Sequence, residues 1–125
     1  MIEVVAAMIR RDGRFLICQR PEGKNCASMW EFPGGKVEPG ETNEAALARE
    51  IREELRCGIA VREKLAETTH AYPSIEIHLT LYAADLTEGA PECLEHAQIA
   101  WIGMGEAVKY IFCPADAELM REISE

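Results

Sequence analysis

The pattern of hydrophobic and polar positions at the start of the chain predicts two strands joined by a tight turn. Residues 2–10 are rich in Val, Ile and Ala, which is typical of a buried strand. Asp12-Gly13 is a strong hairpin-turn pair, and residues 15–19 form a second hydrophobic run. The chain is therefore predicted to begin with a β-hairpin.

A polar stretch and two turn sequences then lead into a predicted helix. Residues 20–29 predict a loop, residues 30–32 a short strand, and the Pro/Gly sequences at 33–35 and 38–40 two turns. Thr42 is a suitable N-cap, and Glu44 falls in the first turn, where the helix dipole favours an acid. The helix is predicted to end near Leu55 or Arg56.

The pattern in the second half of the chain predicts mainly strands. Residues 59–65, 75–86 and 98–102 are predicted strands, and the second of them alternates in part between hydrophobic and polar residues. A loop is predicted at 89–96, and a closing helix at 115–123 follows Pro114. These elements predict a single α+β domain over residues 1–125, with a sheet packed against about two helices.

Composition supports a compact domain without a membrane segment. A chain of 125 residues with 48% hydrophobic residues is long enough for a real core, and is neither disordered nor fibrous. Its longest apolar run, residues 4–9, is far shorter than the roughly 20 residues of a membrane span. The N-terminal sequence does not resemble a signal peptide, so we expect a cytoplasmic protein.

Cysteine usage and charge narrow the class of protein further. The five cysteines are odd in number and lack a CxxC pair, which disfavours a disulfide framework and a structural zinc site. A net charge of −9 disfavours duplex nucleic acid as a partner. A phosphorylated small molecule remains compatible if cations lie between it and the protein, although the charge is also consistent with solubility alone.

The predicted helix carries a cluster of acids that requires an explanation. Glu50, Glu53 and Glu54 are spaced three and four residues apart, so they are neighbours on one face, where like charges repel. They lie at the edge of an apolar stripe. A solvated acidic face with an Arg49–Glu53 pair is one explanation. The preceding sequence GGKVEPGE favours a second one, a bound divalent cation.

That preceding sequence contains the features of a cation and phosphate site. Mg²⁺ prefers oxygen ligands and commonly bridges a protein to substrate phosphates. A Gly34-Gly35 segment lets a backbone carbonyl approach the cation closely, and Lys36 is placed to meet a phosphate oxygen. Glu41 adds a fourth carboxylate near the helix start. Cation binding would offset the repulsion between the helix glutamates.

These residues resemble the Nudix box, whose pattern is G-x5-E-x7-R-E-U-x-E-E-x-G-U with U aliphatic. Seven of its nine specified positions are matched, by Gly35, Glu41, Arg49, Glu50, Ile51, Glu53 and Glu54. The box glycine falls on Arg56 and the last aliphatic position on Cys57. Because that glycine normally ends the helix, we expect this helix to continue slightly and to use Gly58 as its left-handed stop.

Sequences outside the box extend the resemblance to the MutT-like branch that hydrolyses nucleoside triphosphates. CQRPEG, WEFPGGK, HAYP and FCPAD all look like that branch. The resemblance implies the Nudix fold, an α/β/α sandwich with a mixed sheet between helices and a loop–helix–loop metal site. It also implies conversion of a (deoxy)nucleoside triphosphate to the monophosphate and pyrophosphate with Mg²⁺, or alternatively Mn²⁺. The expected partner is a nucleotide, and the expected assembly a monomer or homodimer.

The resemblance also implies roles for individual residues. Glu50, Glu53 and Glu54 are the expected metal ligands, with the Gly34 carbonyl as a further one. Glu50 or Glu53 takes the proton of the attacking water, and the sequence leaves this choice open. Arg49 is expected to hold a box carboxylate in place, and Glu41 to support the loop. Glu95 is an additional candidate ligand, although simple solvation is the favoured reading of this loop acid.

Several residues outside the box are candidates for holding the nucleotide. Bases are commonly bound by stacking and by hydrogen bonds to their edges. Asp116 falls where the oxidised-guanine members carry Asn, and an ionised Asp only accepts hydrogen bonds. It suits an exocyclic amine, as in cytosine or an oxidised adenine, although a buried Asp can be protonated and then donates as well. An N-cap role for Asp116 is equally open. The other candidates are Arg20, Phe32, Gly35, Lys36, Tyr72 and Phe112.

Two other functions remain open at this point. One is hydrolysis of another nucleoside diphosphate linked to a second group, such as ADP-ribose. The other is a Nudix-like domain that binds a nucleotide without turnover, although the retention of all box carboxylates argues against it. The three histidines are scattered along the sequence and indicate no metal cluster.

Overall fold

A computed structural model describes residues 1–124 of the chain, and it begins with the predicted hairpin. Strand β1 (Ile2–Arg11) and strand β2 (Arg14–Gln19) pair antiparallel next to the turn. Asp12 and Gly13 have φ values of 52° and 77°. Positive φ at both central residues is the signature of the tight hairpin turn that Asp-Gly favours, so this prediction is confirmed.

The remaining strands complete one mixed sheet. They are β3 (Trp30–Glu31), β4 (Gly34–Lys36), β5 (Gly58–Tyr72), β6 (Ile75–Glu88) and β7 (Gln98–Ile102). The sheet has the order β3-β2-β1-β6-β5, with β4 also paired to β1 and β7 to β2. The β1–β6 pair is parallel and the others are antiparallel, which makes the sheet mixed as expected.

One helix covers each face of the sheet. Helix α1 (Asn43–Leu55) packs on the face to which β1 contributes Val5, Ala7 and Ile9. Helix α2 (Pro114–Ile123) packs on the opposite face, to which β1 contributes Ala6. Because alternate strand residues point to opposite faces, one hydrophobic strand supplies both cores. The result is the expected α/β/α sandwich, with an additional 3-10 helix at Met104–Lys109.

The helix termini agree with the sequence in one place and differ in two. Thr42 is the N-cap of α1, and its Oγ1 accepts the Ala45 N–H at 3.1 Å. The expected stop at Gly58 is wrong, because Arg56 itself adopts the left-handed conformation, with φ 56° and ψ 35°. Ending the helix there buries Cys57 completely and lets Gly58 pair with Glu88 in the sheet. Cys113, rather than Asp116, is the N-cap residue of α2.

Two strand assignments also differ from the prediction. Gly34–Lys36, expected as part of a turn, forms a strand because β1 supplies it with backbone partners. Strand β5 extends through the polar stretch up to Tyr72, well beyond the predicted end at residue 65. Unbroken pairing of Ala66 to Tyr72 with β6 keeps this polar segment extended, and the three irregularities in register lie before it, between Gly58 and Ala66. Among residues 1–124, the structure contains no helix long and apolar enough to cross a membrane.

Candidate active site

Arg49 is the centre of the hydrogen-bond network at the start of α1. Its Nε donates to Glu41 Oε2 at 2.7 Å and its Nη2 to Glu41 Oε1 at 3.0 Å, which is a bidentate pair. Glu41 Oε1 also accepts the backbone N–H of Glu38 at 2.9 Å. The hydrogen bonds from Arg49 and then from Glu38 lower the pKa of Glu41 to about 2. Glu41 therefore fixes both the turn before the helix and the guanidinium.

The same guanidinium reaches two glutamates of the box. Nη1 of Arg49 donates to Glu50 Oε1 at 2.8 Å and to Glu53 Oε1 at 3.1 Å, while Nη2 donates to the Lys36 carbonyl at 3.1 Å. Hydrogen bonds with Glu41 and Glu50 raise the pKa of Arg49, so it stays charged. Arg49 thus links α1 to β4 and keeps the Glu50 carboxylate in one orientation.

Gly35 makes room for the Glu50 carboxylate. A Cβ at position 35 would overlap the Oε2 and Cδ atoms of Glu50. Glu50 is largely buried, with 16% of its side chain exposed, so it cannot simply swing into solvent. The absence of a side chain at Gly35 therefore allows a carboxylate to lie against the β4 backbone. This close approach gives a physical reason for glycine at the first box position.

Glu54 forms an acidic cluster with Glu50. Burial is the largest cause that raises the pKa of Glu54, to about 8, followed by the charge of Glu50 and a hydrogen bond to it. Glu31 and Glu95 add smaller contributions in the same direction. A partly buried carboxyl group with three acidic neighbours is an arrangement that a divalent cation would stabilise. Glu50 and Glu54 both face a cleft that runs across this side of the molecule.

The third predicted ligand, Glu53, lies apart from this cluster. Its side chain is 59% exposed, it is held by Arg49, and it is not among the residues lining the cleft. Among residues 1–124, three potential ligand atoms within 4.8 Å of one another belong to Glu31, Cys113 and Asp116, not to the three box glutamates. The structure therefore brings together two of the predicted glutamate ligands and leaves the third on the outer side of α1.

The cleft has a volume of about 780 Å³ and contains nearly all the predicted nucleotide contacts. Its lining comes from the box, from β4, from the start of α2 and from the loop after β2. The predicted residues that line the cleft are Arg20, Phe32, Gly34, Gly35, Lys36, Glu50, Glu54, Tyr72, Glu95 and Asp116. Phe112 is not among the lining residues and instead packs on Phe32, with ring centroids 6.1 Å apart.

Asp116 is a buried acceptor in the wall of the cleft. It is 7% exposed, and its Oδ1 accepts the backbone N–H of Phe32 at 3.0 Å. Burial, and then the nearby Glu31 carboxylate, raise the pKa of Asp116 well above its usual range. The N-cap interpretation of this residue is wrong, because Cys113 is the N-cap of α2 and Asp116 lies within the first turn of the helix. The contact fixes β3 and its following turn against the first turn of α2.

Arg20, Phe32 and Tyr72 form further parts of the cleft wall. Arg20 Nη1 contacts Glu31 Oε1 at 3.2 Å, and its Nε donates to the Asn25 carbonyl at 2.6 Å, so Arg20 is tied to the loop beside the cleft. Phe32 is 3% exposed. The Tyr72 hydroxyl accepts the Ala115 N–H at 3.1 Å, and burial raises the pKa of this tyrosine.

The sequence patterns predict no role for two residues that line the cleft, Glu31 and His96. Glu31 is next to Phe32 on β3, and it contacts both Arg20 and His96. The His96 side chain is 6% exposed, with Nε2 3.4 Å from Glu31 Oε2 and 3.8 Å from Glu54 Oε2. Its buried Nδ1 has no hydrogen-bond partner among residues 1–124. Nothing in the loop sequence around His96 signals this contact, whereas the position of Glu31 within WEFPGG was a usable signal.

Comparisons with known proteins agree with this geometry. A family profile described as NUDIX domain matches residues 4–122. The chain is 42% identical over 120 residues to a protein of Escherichia coli strain K12 named CTP pyrophosphohydrolase, covering 96% of this chain and 89% of that protein. It is 35% identical over 125 residues to the 8-oxo-dGTP diphosphatase of Haemophilus influenzae, covering 98% and 91%.

Solved structures give the same result. The solution structure of the E. coli ORF135 protein superposes with a TM-score of 0.89 at 42% identity, covering 99% of this chain and 89% of that one. The solution structure of a MutT protein, described as family Nudix hydrolase, from methicillin-resistant Staphylococcus aureus 252 gives a TM-score of 0.78, also at 42% identity, covering 98% and 94%. The match to the family profile and the identity to these relatives show that the chain belongs to the NUDIX domain family.

Proposed function

We propose that this protein is a Mg²⁺-dependent hydrolase that converts a (deoxy)nucleoside triphosphate and water to the nucleoside monophosphate and pyrophosphate. The observation that carries the proposal is that the Glu50–Glu54 carboxylate pair and the buried acceptor Asp116 line the same cleft. This arrangement fits a ligand with phosphates at one end and a base at the other. Relatives named CTP pyrophosphohydrolase and 8-oxo-dGTP diphosphatase support it.

The box carboxylates that line the cleft fit a hard divalent cation. Glu50, Glu54 and the Gly34 carbonyl belong to residues that line the cleft and would supply oxygen ligands. Burial first, and then the charge of Glu50, raise the pKa of Glu54, and a cation would neutralise that charge. Glu53 would join only after a rotation of its exposed side chain. When bound, Mg²⁺ supplies charge neutralisation for the phosphates and lowers the pKa of a bound water. Mn²⁺ offers the same coordination chemistry.

Three side chains of the protein have proposed roles in the reaction besides metal binding. Glu50 lines the cleft, whereas Glu53 does not, so we assign acceptance of the water proton to Glu50. Arg49 keeps Glu50 oriented through Nη1 and is a positioning residue in this scheme. Lys36, exposed at the cleft rim, is placed to contact a phosphate oxygen. Positioning and electrostatic stabilisation of this kind account for most phosphoryl-transfer catalysis.

Asp116 is the proposed contact to the base. In its ionised form Asp116 accepts hydrogen bonds only, which favours the exocyclic amine of cytosine or of an oxidised adenine, whereas the protonated form that burial favours can also donate. Its Oδ1 is already used by Phe32, so the base would meet the other oxygen. Phe32 and Tyr72 would provide apolar walls beside it. Cytosine nucleotides and 2-hydroxy-dATP are the preferred substrates under this assignment.

Pyrophosphate release in the presence of Mg²⁺ tests the proposal. The panel is CTP, dCTP, 5-methyl-dCTP, 2-hydroxy-dATP, 8-oxo-dGTP and ADP-ribose. Glu54→Gln is expected to abolish release, and Glu44→Gln, an exposed residue in the first turn of the same helix, is the matched control that keeps it. Preference for 8-oxo-dGTP would retain the mechanism and reject the base assignment. AMP from ADP-ribose without release from any triphosphate would reject the substrate class.

A further inference from the structure

A cluster behind one wall of the cleft ties β5 to α2. We call Thr68, His70, Tyr72 and Glu118 the β5–α2 clamp. The three strand residues alternate along β5 and so share the face that packs against α2. His70 Nδ1 lies 2.8 Å from Glu118 Oε2, and Thr68 Oγ1 donates to Glu118 Oε1 at 2.5 Å. One carboxylate therefore connects two strand side chains to the helix.

The clamp continues from His70 to the wall of the cleft. The rings of His70 and Tyr72 are in contact, with centroids 4.5 Å apart and planes at 57°. The Tyr72 hydroxyl in turn accepts the N–H of Ala115, a first-turn donor that has no partner within the helix. Ala115 precedes Asp116 directly. The contacts thus run without interruption from Glu118 to the residue before the proposed base contact.

Only one end of this cluster faces the cleft. Tyr72 and Asp116 line it, whereas Thr68, His70 and Glu118 are not among its lining residues. Hydrogen bonds from Thr68 and then His70 lower the pKa of Glu118, so it is the negatively charged acceptor of both. We infer that Thr68, His70 and Glu118 are positioning residues that fix Tyr72 and the first turn of α2, and thereby determine selectivity for the base.

This inference rests on the proposed function and predicts a specific kinetic signature. Loosening the clamp is expected to displace Tyr72 and Asp116, whereas the Glu50–Glu54 carboxylate pair belongs to a different element, α1, and stays in place. Because the chemistry takes place at the phosphates, KM for the preferred nucleotide should rise while kcat is retained. Discrimination between bases with and without an exocyclic amine should fall at the same time.

The test compares steady-state hydrolysis of CTP and UTP, which differ in whether an amine or a carbonyl occupies the same ring position. Glu118→Ala removes the two hydrogen bonds that Glu118 accepts from Thr68 and His70. His70→Phe keeps a ring against Tyr72 but removes the bond to Glu118. Thr68→Val is the milder variant if Glu118→Ala does not fold. His78→Phe is the matched control, because it breaks a histidine–glutamate contact of 2.9 Å on the same sheet away from the cleft.

The expected result is a KM for CTP that rises about tenfold in Glu118→Ala, with kcat within about twofold and a smaller CTP/UTP preference. Unchanged KM and preference in the folded variants would overturn the inference, as would a loss confined to kcat. Wild-type protein that releases no pyrophosphate would reject the proposed function itself. CTP affinity would then be measured calorimetrically with Ca²⁺, where equal affinity of wild type and Glu118→Ala overturns the clamp.

Discussion

Arg49 donates two hydrogen bonds to the Glu41 carboxylate, from Nε at 2.7 Å and from Nη2 at 3.0 Å. A planar guanidinium can make this bidentate contact and still direct Nη1 at Glu50, whereas a lysine ammonium cannot satisfy both geometries. The pair therefore explains why the box specifies both an early glutamate and an arginine eight residues later. Glu41 orients Arg49, and Arg49 orients Glu50.

Replacing Arg49 with Lys is expected to reduce kcat/KM for the preferred triphosphate by roughly 100-fold, through misorientation of Glu50. Stopped or continuous pyrophosphate assays would measure the loss. Arg52→Lys serves as the control, since Arg52 lies on the same helix but pairs with Glu88 outside the cleft. Equal activities of the two variants would show that the bidentate contact of the Arg49 guanidinium is not required.

Gly35→Ala tests the close approach of Glu50 to β4. The added Cβ would overlap the Glu50 carboxylate, so the carboxylate must move away from its position in the cleft. We expect kcat to fall by roughly 100-fold or more, as for loss of a catalytic group's orientation. Gly105→Ala is the control, because no atom of residues 1–124 lies within 4 Å of a Cβ there. A fully active Gly35→Ala would contradict the placement of Glu50.

Asp116→Asn tests the assignment of the base. Asn keeps an oxygen for the Phe32 N–H, but presents an amide donor where the carboxylate accepts. The ratio of kcat/KM values for CTP over 8-oxo-dGTP should fall by about 10-fold, equivalent to about 1.4 kcal/mol of discrimination. Thermal unfolding of the variant would separate this effect from general damage. An unchanged ratio would remove Asp116 from base recognition.

His78 provides a test of pH-dependent stability. Its hydrogen bond to Glu3 raises the pKa of His78 above the ordinary value of 6.5, and the charges of Glu3 and Glu67 act in the same direction. A raised folded-state pKa contributes stability that is fully present below pH 6.5 and is lost as pH rises through the folded-state value. Because these pairs lie at the surface, the contribution is expected to be about 0.5 kcal/mol.

Chemical unfolding of wild type and His78→Gln at pH 5.5 and pH 9 would measure this contribution. The wild type should exceed the variant in free energy of unfolding at the lower pH, and the difference should shrink at the higher pH. A difference that grows with pH would mean that the Glu3 contact does not favour the charged imidazole. No change in catalysis is expected, because His78 does not line the cleft.

The chemistry of helix α1 was determined by the sequence alone. Thr42 at the cap, the apolar stripe, and Glu50 and Glu54 beside it follow from local propensity and from the 3.6-residue period of a helix. The box pattern predicted the family, and the Asp12-Gly13 hairpin was equally local. Each of these features depends on residues only a few positions apart, which is why a linear pattern can reveal them.

Tertiary structure alone decided the rest. The strands at Gly34–Lys36 and at the end of β5 exist because β1 and β6 supply backbone partners distant in sequence. Two further sets of contacts are equally distant in sequence. His96 contacts Glu31 and Glu54, and Asp116 accepts the Phe32 N–H, so these contacts join residues 42 to 84 positions apart. Local periodicity contains no information about such pairings, because they arise when the two faces of the sheet are buried together.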